Sequence, residues 1–489
     1  MDVVFGGYSQ RLDNAPDRLV AALGMRSTVG ALLGLAAAIP LAAWMWGFTV
    51  DDALISVRYA RHLANGFGYR FNIDGPSTDG VTPLPWAFLL APFAHADALT
   101  VLARARCVGL GAWLGAAAAW GVAVKRAPAA WWAKGIASVV LGLSAPLAAH
   151  AVSGMETGLA IALATIASLT SARPLLAAGL AGAAATLRPE MGAWALALAV
   201  GFELARTPRV AARLALAALL AVGPFALCAL ARLLAFGSPA PLSLVAKPSD
   251  LWHGAIYAGA AAIVTLTPLL ALSPFALARA PRHAVAIVAA AAVHFGAIAA
   301  VGGDWMPYAR LAAPIVPTLA YAFVLVAPHA HAGATVVRSG IAIAIGVALL
   351  LGNGTSGRTV AADRAALIAS ARPLLADATR VATLDIGWAS AATEAHLVDL
   401  AGVTDPTFAV LPGGHTSKRI DGPMLGAPDA ILVYLANPAD LADWQRATFS
   451  RDVDFRLAHD DYVSEHYKAR AYLPLGVKGT GYVVLRRAD

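Results

Sequence analysis

Charged side chains are scarce in this chain. They make up 13% of 489 residues, against about 25% in an ordinary soluble domain, while 59% of residues are hydrophobic and the mean hydropathy is +0.67. So little charge cannot cover a water-facing surface, and a soluble enzyme is excluded. Cysteine is nearly absent. Cys107 and Cys228 both lie in apolar runs, so neither a disulfide framework nor a cysteine metal site is indicated, and both are expected as small core residues. His329 and His331 are too sparse for a metal site, and no tandem repeat is visible. Acids are outnumbered by bases, giving a net charge of +7 and a pI near 9.5. In a bilayer protein that excess collects in cytoplasmic loops for topological reasons, so no nucleic-acid partner is expected. A small-residue cleavage site is lacking after the first apolar run. Arg11, Arg18 and Arg26 precede that run together with Asp13 and Asp17, and we read it as a retained first span.

What the chain has in abundance is long apolar runs. Crossing about 30 Å of hydrocarbon takes about 20 mostly apolar residues. Runs of roughly that length predict about eleven spans, near 29-48, 103-124, 131-150, 155-172, 174-188, 191-205, 212-233, 254-277, 283-301, 311-328 and 339-353, the fifth and sixth of them short. The run at 84-95 is too short and suits an interfacial or re-entrant helix. With the N-terminus inside, Lys125, Arg126, Arg173, Arg206, Arg209, Arg213, Arg279, Arg282 and Arg338 all fall on the cytoplasmic side, which is the positive-inside pattern. The same threading places 49-102, 151-155, 188-190, 237-252 and 302-310 outside, along with the tail. The abundant alanines predict close helix packing.

From about Arg358 charged residues return. RVATLD (380-385) and AILVYL (430-435) read as strands, and AADRAALIASARPLLAD as a helix leading into them. The expected organisation is a transmembrane unit over 1-353, with a first outer loop at 49-102, and a C-terminal extracytoplasmic α/β domain over 354-489.

The first outer loop carries the densest chemistry. It opens on Asp51 and Asp52 directly after an apolar run, continues as ISVRYARHLANG, and turns through glycines into DGVTPLPW. Acids beside Arg58 and Arg61 suit a general base next to an anionic substrate, although adjacent acids can also simply end a helix in water.

These residues resemble the signature of GT-C glycosyltransferases that draw sugar from a polyprenyl-phosphate carrier, closest to the branch of the mycobacterial terminal arabinofuranosyltransferases. DDALISVRYARHLANGFGYRFN with DGVTPLPW is similar to that branch's first-loop block. SGMETG (153-158), RPE (188-190), FGSPAPLSLVAK (236-247) and GGDWMPYARLAAPIVP (302-317) resemble later ones, and LDIG (384-387), VDLAGVTD (398-405) and PDAILV (428-433) continue the likeness in the tail. PLPW and APLSLVAK depart from the pattern where substrate is expected, which points to a different sugar or acceptor.

The resemblance implies a multi-pass enzyme of the inner (plasma) membrane, with its site and C-terminal domain extracytoplasmic. It would transfer arabinofuranose, or alternatively mannose or another hexose, from a polyprenyl phosphate to a glycan or glycoprotein acceptor, with membrane lipid around it. Asp51 takes the role of general base, with Asp52 as alternate or orienting partner. Some members hold a divalent cation at this position. Arg58, Lys247, Arg310 and the more distant Arg188 are the candidate ligands of the donor phosphate; Thr82, Trp86, Glu156, Asp304, Trp305 and His415 are candidate substrate contacts. Each has a plainer reading: a solvated helix face for Arg58, loop closure for Lys247, an interfacial helix end for Arg310. Glu156 and the Arg188–Glu190 pair can be internal ion pairs, Trp305 an interfacial anchor, and His415 a surface residue. A lipid-linked sugar flippase or transporter is the alternative function, though the acids gather at one end and the two halves of the chain do not resemble each other.

Overall fold

A computed structural model describes residues 15-206, 210-270, 274-437, 441-476 and 479-488. Arg11, Asp13 and Arg209 of the charge pattern lie outside these. The chain is a predominantly helical bundle carrying a small C-terminal sheet.

Five helices are long and apolar enough to cross a membrane: Ser27–Trp44, Ala98–Arg126, Ala211–Phe236, Arg282–Ala300 and Ala332–Gly352. A sixth exists if Trp131–Gly142 and Ala145–Val152, bent by 51° at their break, form one span. All eleven expected segments are helical over most of their length. Thr157–Leu169, Pro174–Leu187 and Gly192–Leu204 are only 13, 14 and 13 residues long, about 20 Å at 1.5 Å per residue. The last two are the segments expected to be short, and the first is shorter than the apolar run 155-172 that contains it. The 84-95 run is a short helix, Leu84–Leu90, with a 3-10 turn at Ala91–Phe93.

Small residues let the helices touch at their backbones. A Cβ on Gly34 would meet the Ala117 carbonyl oxygen at 1.9 Å, and one on Gly158 the Gly109 Cα at 2.7 Å, the close approach expected for packing inside a bilayer. The cysteines did not follow the expectation for core residues: Cys107 is exposed and Cys228 half-buried. In a membrane helix an apolar position is as readily lipid-facing as internal, so apolar context does not place a side chain.

The tail forms a five-stranded sheet, with β1 Arg380–Thr383, β2 His396–Asp399, β3 Ala430–Leu435, β4 Tyr467–Leu475 and β5 Thr480–Arg487, in the order β2-β1-β3-β5-β4. β1 runs parallel to β2 and β3, while β5 is antiparallel to β3 and β4. Both predicted strands are present, and the predicted leading helix is Val360–Ala371. The helix Ile386–Ala392 crosses over from β1 to β2. The expected boundary at 353/354 falls within the helix Ala332–Gly357.

The tail is seated against the first loop. Ala53, Leu54 and Val57 share one apolar core with Leu367, Ile368, Trp388, Leu432 and Val484. Burying that surface drives the docking, and polar contacts fix its register. Asn72 Nδ2 donates to the Leu397 carbonyl while its Oδ1 accepts from the Leu397 N–H, both at 2.9 Å. Thr78 Oγ1 donates to the Thr404 carbonyl at 3.0 Å.

Candidate functional site

The helix Asp51–Ala64 begins at Val50, which is extended and offers no side-chain cap. Asp51 and Asp52 occupy its first turn, where the helix dipole favours negative charge. Their surroundings differ sharply. The Asp51 carboxylate accepts the backbone N–H of Gly387 and of Trp388, each at 2.9 Å, and Nη1 of Arg364 at 2.6 Å. It therefore caps the helix Ile386–Ala392 from across the molecule. That helix's own N-cap residue, Asp385, makes no capping bond; its carboxylate receives Arg451 at 2.6 Å and the Tyr482 hydroxyl instead. Burial pushes the Asp51 carboxyl up to about 6, against the opposing pull of Arg364. Burial would also raise Asp385, but Arg451, Tyr482 and Arg364 outweigh it and hold that carboxyl below the usual range. Asp52 is half-buried, and its carboxylate has no hydrogen bond from any described residue.

The resemblance brings in a divalent cation at these acids, and the donor set around Asp51 does not fit one. Its oxygens are taken by two N–H groups and a guanidinium, whose charge would repel a metal ion. Among the described residues, no group of three or more His, Cys, Asp or Glu converges.

The other segments expected outside meet at the same end of the bundle. Thr49 Oγ1 donates to the Ser153 carbonyl at 2.8 Å. Arg310 pairs bidentately with Asp304 at 2.7 and 3.2 Å and reaches Met155 Sδ at 3.5 Å. Burial would raise the Asp304 carboxyl, yet Arg310, Arg188 and Lys247 hold it below the usual range. Arg188 bridges Glu156 at 2.9 Å and Glu190 at 2.7 Å, all three nearly inaccessible, and Glu156 Oε2 is buried without a hydrogen-bond partner. Thr82 Oγ1 lies 3.0 Å from Ser243 Oγ, and the Thr82 carbonyl accepts from Arg232, which also pairs with Asp79.

The candidates thus divide. Arg58 is buried and donates to the carbonyls of Phe71, Thr393 and Ala395 at 2.7, 3.2 and 3.0 Å, so it ties the first loop to the tail. Trp86 is fully buried in the shared apolar core. Arg188 and Glu156 form an internal ion pair. Lys247, half-buried at the end of the helix Leu242–Ala246, has no ion pair among the described residues. His415 lies in the field of Lys247, Asp52, Arg451 and Asp385; burial, then Lys247, lowers its imidazole to about 4, so it is neutral at physiological pH. Trp305 stands 72% exposed, with its ring 6.4 Å from that of His415.

Arg364, Arg451, Tyr482, Asp79, Arg232 and His253 were not anticipated. Arg232 left a signal, a charge inside the apolar run 212-233 and far from the Arg213 end, which requires a partner. Arg364 left none, because its partner Asp51 lies 313 residues away; Arg451 pairs locally with Asp454, but its bond to Asp385 spans 66 residues. A cavity of about 370 Å³ opens beside Arg58, Asp74, Thr379, Glu394 and His396, and a smaller crevice of about 40 Å³ lies among bundle helices beside Ser144, Thr265 and Gly346. Neither is lined by Asp51 or Asp52.

Compared with protein-family models, curated proteins and solved structures, the chain matched none.

Proposed function

We propose that this chain is a GT-C-type membrane glycosyltransferase. It moves a sugar, arabinofuranose first and mannose or another hexose second, from a polyprenyl phosphate to an extracytoplasmic glycan or glycoprotein. The observation that carries the reading is convergence. Segments 49-102, 151-155, 188-190, 237-252 and 302-310, far apart in sequence, meet at one end of the bundle under the tail, and each bears a block of the resemblance. Charge at that end is arranged for use: the Asp52 carboxylate accepts no hydrogen bond and Lys247 has no ion pair among the described residues, and His415 is neutral.

In this reading Asp52 is the general base and Asp51 positions it. An acceptor hydroxyl attacks the anomeric carbon, its proton passes to Asp52, and the bond from that carbon to the phosphate oxygen breaks with its electron pair leaving on the phosphate. The departing phosphate is already anionic, so it needs a cation more than a proton. Lys247 supplies that charge, with Arg310 behind it where it can be drawn from Asp304. A single displacement inverts the anomeric centre. The chain is polytopic in the inner (plasma) membrane, with this end and the tail outside. The shorter apolar helices complete about eleven passes, which is tolerable where short segments are buried in protein.

The test is transfer of radiolabelled sugar from a panel of polyprenyl-phosphate sugars to a membrane extract. Transfer from one donor that Asp52→Asn abolishes, with the protein folded and inserted, supports the class and names the sugar. If no donor works for the wild type, the flippase reading replaces this one.

A further inference from the structure

Trp305 is a large aromatic side chain displayed at the site end, and its setting is built. Gly302 and Gly303 hold positive φ of 89° and 72°. The loop they form presses on the helix Leu251–Leu270: a Cβ on Gly303 would meet Tyr257 Cβ at 2.8 Å, and one on Gly302 the Asp250 backbone nitrogen at 2.7 Å. Side chains there would need strain and displacement together, so the glycines allow the loop to lie flat. His253, in the first turn of that helix, stacks on the indole with centroids 4.2 Å apart and planes at 12°. His253 Nδ1 lies 2.8 Å from the Gly302 carbonyl, so that nitrogen carries a proton and donates it, which fixes the ring's orientation. The Trp305 backbone N–H donates to Asp304 Oδ1 at 2.9 Å, and Asp304 is fixed by Arg310. Across the gap stands His415, contributed by the tail.

Such a group does not look like a membrane anchor. An interfacial Trp points into headgroups, a place better suited to the neighbouring Trp252, which is 75% exposed and has no ring partner among the described residues. Trp305 instead lies between a bundle histidine and a histidine of the tail. A flat apolar face backed by the His253 imidazole and neighboured by His415 fits an uncharged sugar ring, whose C–H face covers the free side of the indole while its hydroxyls find hydrogen-bonding partners around it. An anionic donor headgroup would be drawn to Lys247 instead.

We propose that Trp305, flanked by His253 and His415, is the platform on which a sugar ring of the acceptor glycan stacks. The proposal rests on the glycosyltransferase reading and assigns the acceptor side of that site. It makes the seam between bundle and tail the route by which the glycan enters.

Two measurements separate the platform from the reading beneath it. The first is saturation-transfer NMR on the full-length protein in detergent, with an arabinofuranose tetrasaccharide and a mannose tetrasaccharide as probes. Ring-proton saturation of one probe is expected for the wild type, lost in Trp305→Ala, partly restored in Trp305→Phe, and kept in Trp252→Ala. The second is transfer kinetics with that probe as acceptor, where Trp305→Ala should raise KM about tenfold, the loss of one moderate contact, with a smaller change in kcat. Binding that depends on Trp305 without transfer from any donor keeps the platform and sinks the glycosyltransferase. Transfer by the wild type with an acceptor KM unmoved in Trp305→Ala sinks the platform alone. Equal loss of binding in Trp252→Ala and Trp305→Ala would make both residues interfacial anchors and overturn the proposal.

Discussion

The Asp51 carboxylate accepts the Gly387 N–H at 2.9 Å across 336 residues of chain, and there is no room between them for a methyl group. A Cβ on Gly387 would meet the Asp51 carbonyl oxygen at 2.2 Å and Oδ2 at 2.6 Å. Gly387→Ala should therefore lift the tail from the first loop, costing about 1–3 kcal/mol as a small-to-large change in a packed contact. Faster proteolysis near Arg358–Arg372 would report it, and unchanged cleavage would mean that the contact is loose.

Asp51 and Asp52 should separate on mutation. Asp51→Ala leaves the Arg364 guanidinium without its carboxylate partner and the helix Ile386–Ala392 without a cap, so a stability loss of about 3 kcal/mol is expected along with lost transfer. Asp52 has no such bonds. Asp52→Asn should lower kcat by about 10²–10⁴-fold while stability moves by less than about 0.5 kcal/mol. Thermal unfolding in detergent beside transfer assays checks the contrast; the reverse pattern would return the base role to Asp51.

The buried pair Asp79–Arg232 pins the first loop to the helix Ala211–Phe236, the two side chains being 3% and 2% exposed. Arg232→Leu should destabilise by about 3–5 kcal/mol by stranding the acid. The double variant Asp79→Asn, Arg232→Gln should recover part of that loss, which a cycle of melting measurements would quantify.

Asp399 lies in the tail core, where burial raises its carboxyl to about 6 against bonds from Thr404 and Ala401. A raised acid contributes stability that is full below the unfolded value near 3.8 and is lost as pH rises through about 6. The stability of the wild type relative to Asp399→Asn should therefore grow by about 1 kcal/mol from pH 7 to pH 5. Taking the difference removes the opposing contribution of His415, whose lowered imidazole favours the folded state at higher pH. A flat difference would mean that Asp399 titrates normally in the fold.

Much of the architecture was legible because it follows from local pattern. The positions of the apolar helices, the strands β1 and β3, and the helix Val360–Ala371 are set by hydropathy and periodicity within a dozen residues. The ends of the helices were less legible: Thr157–Leu169 is shorter than the apolar run 155-172 that contains it. Of the candidate site residues, Asp52, Lys247, Asp304, Trp305 and His415 come together at one end. Arg58, Trp86 and Arg188 are engaged in holding the structure.

Composition by itself determined that the chain belongs in a membrane, because too few charges exist to solvate it, and that its polar chemistry gathers in the segments between apolar helices. Only the tertiary structure decided which acid is tied and which is free. Asp51 and Asp52 are chemically identical neighbours, and what separates them is the arrival of Arg364, Gly387 and Trp388 from more than 300 residues away. A helix rotates adjacent side chains by about 100°, so only the Asp51 carboxylate meets the Gly387 and Trp388 N–H groups.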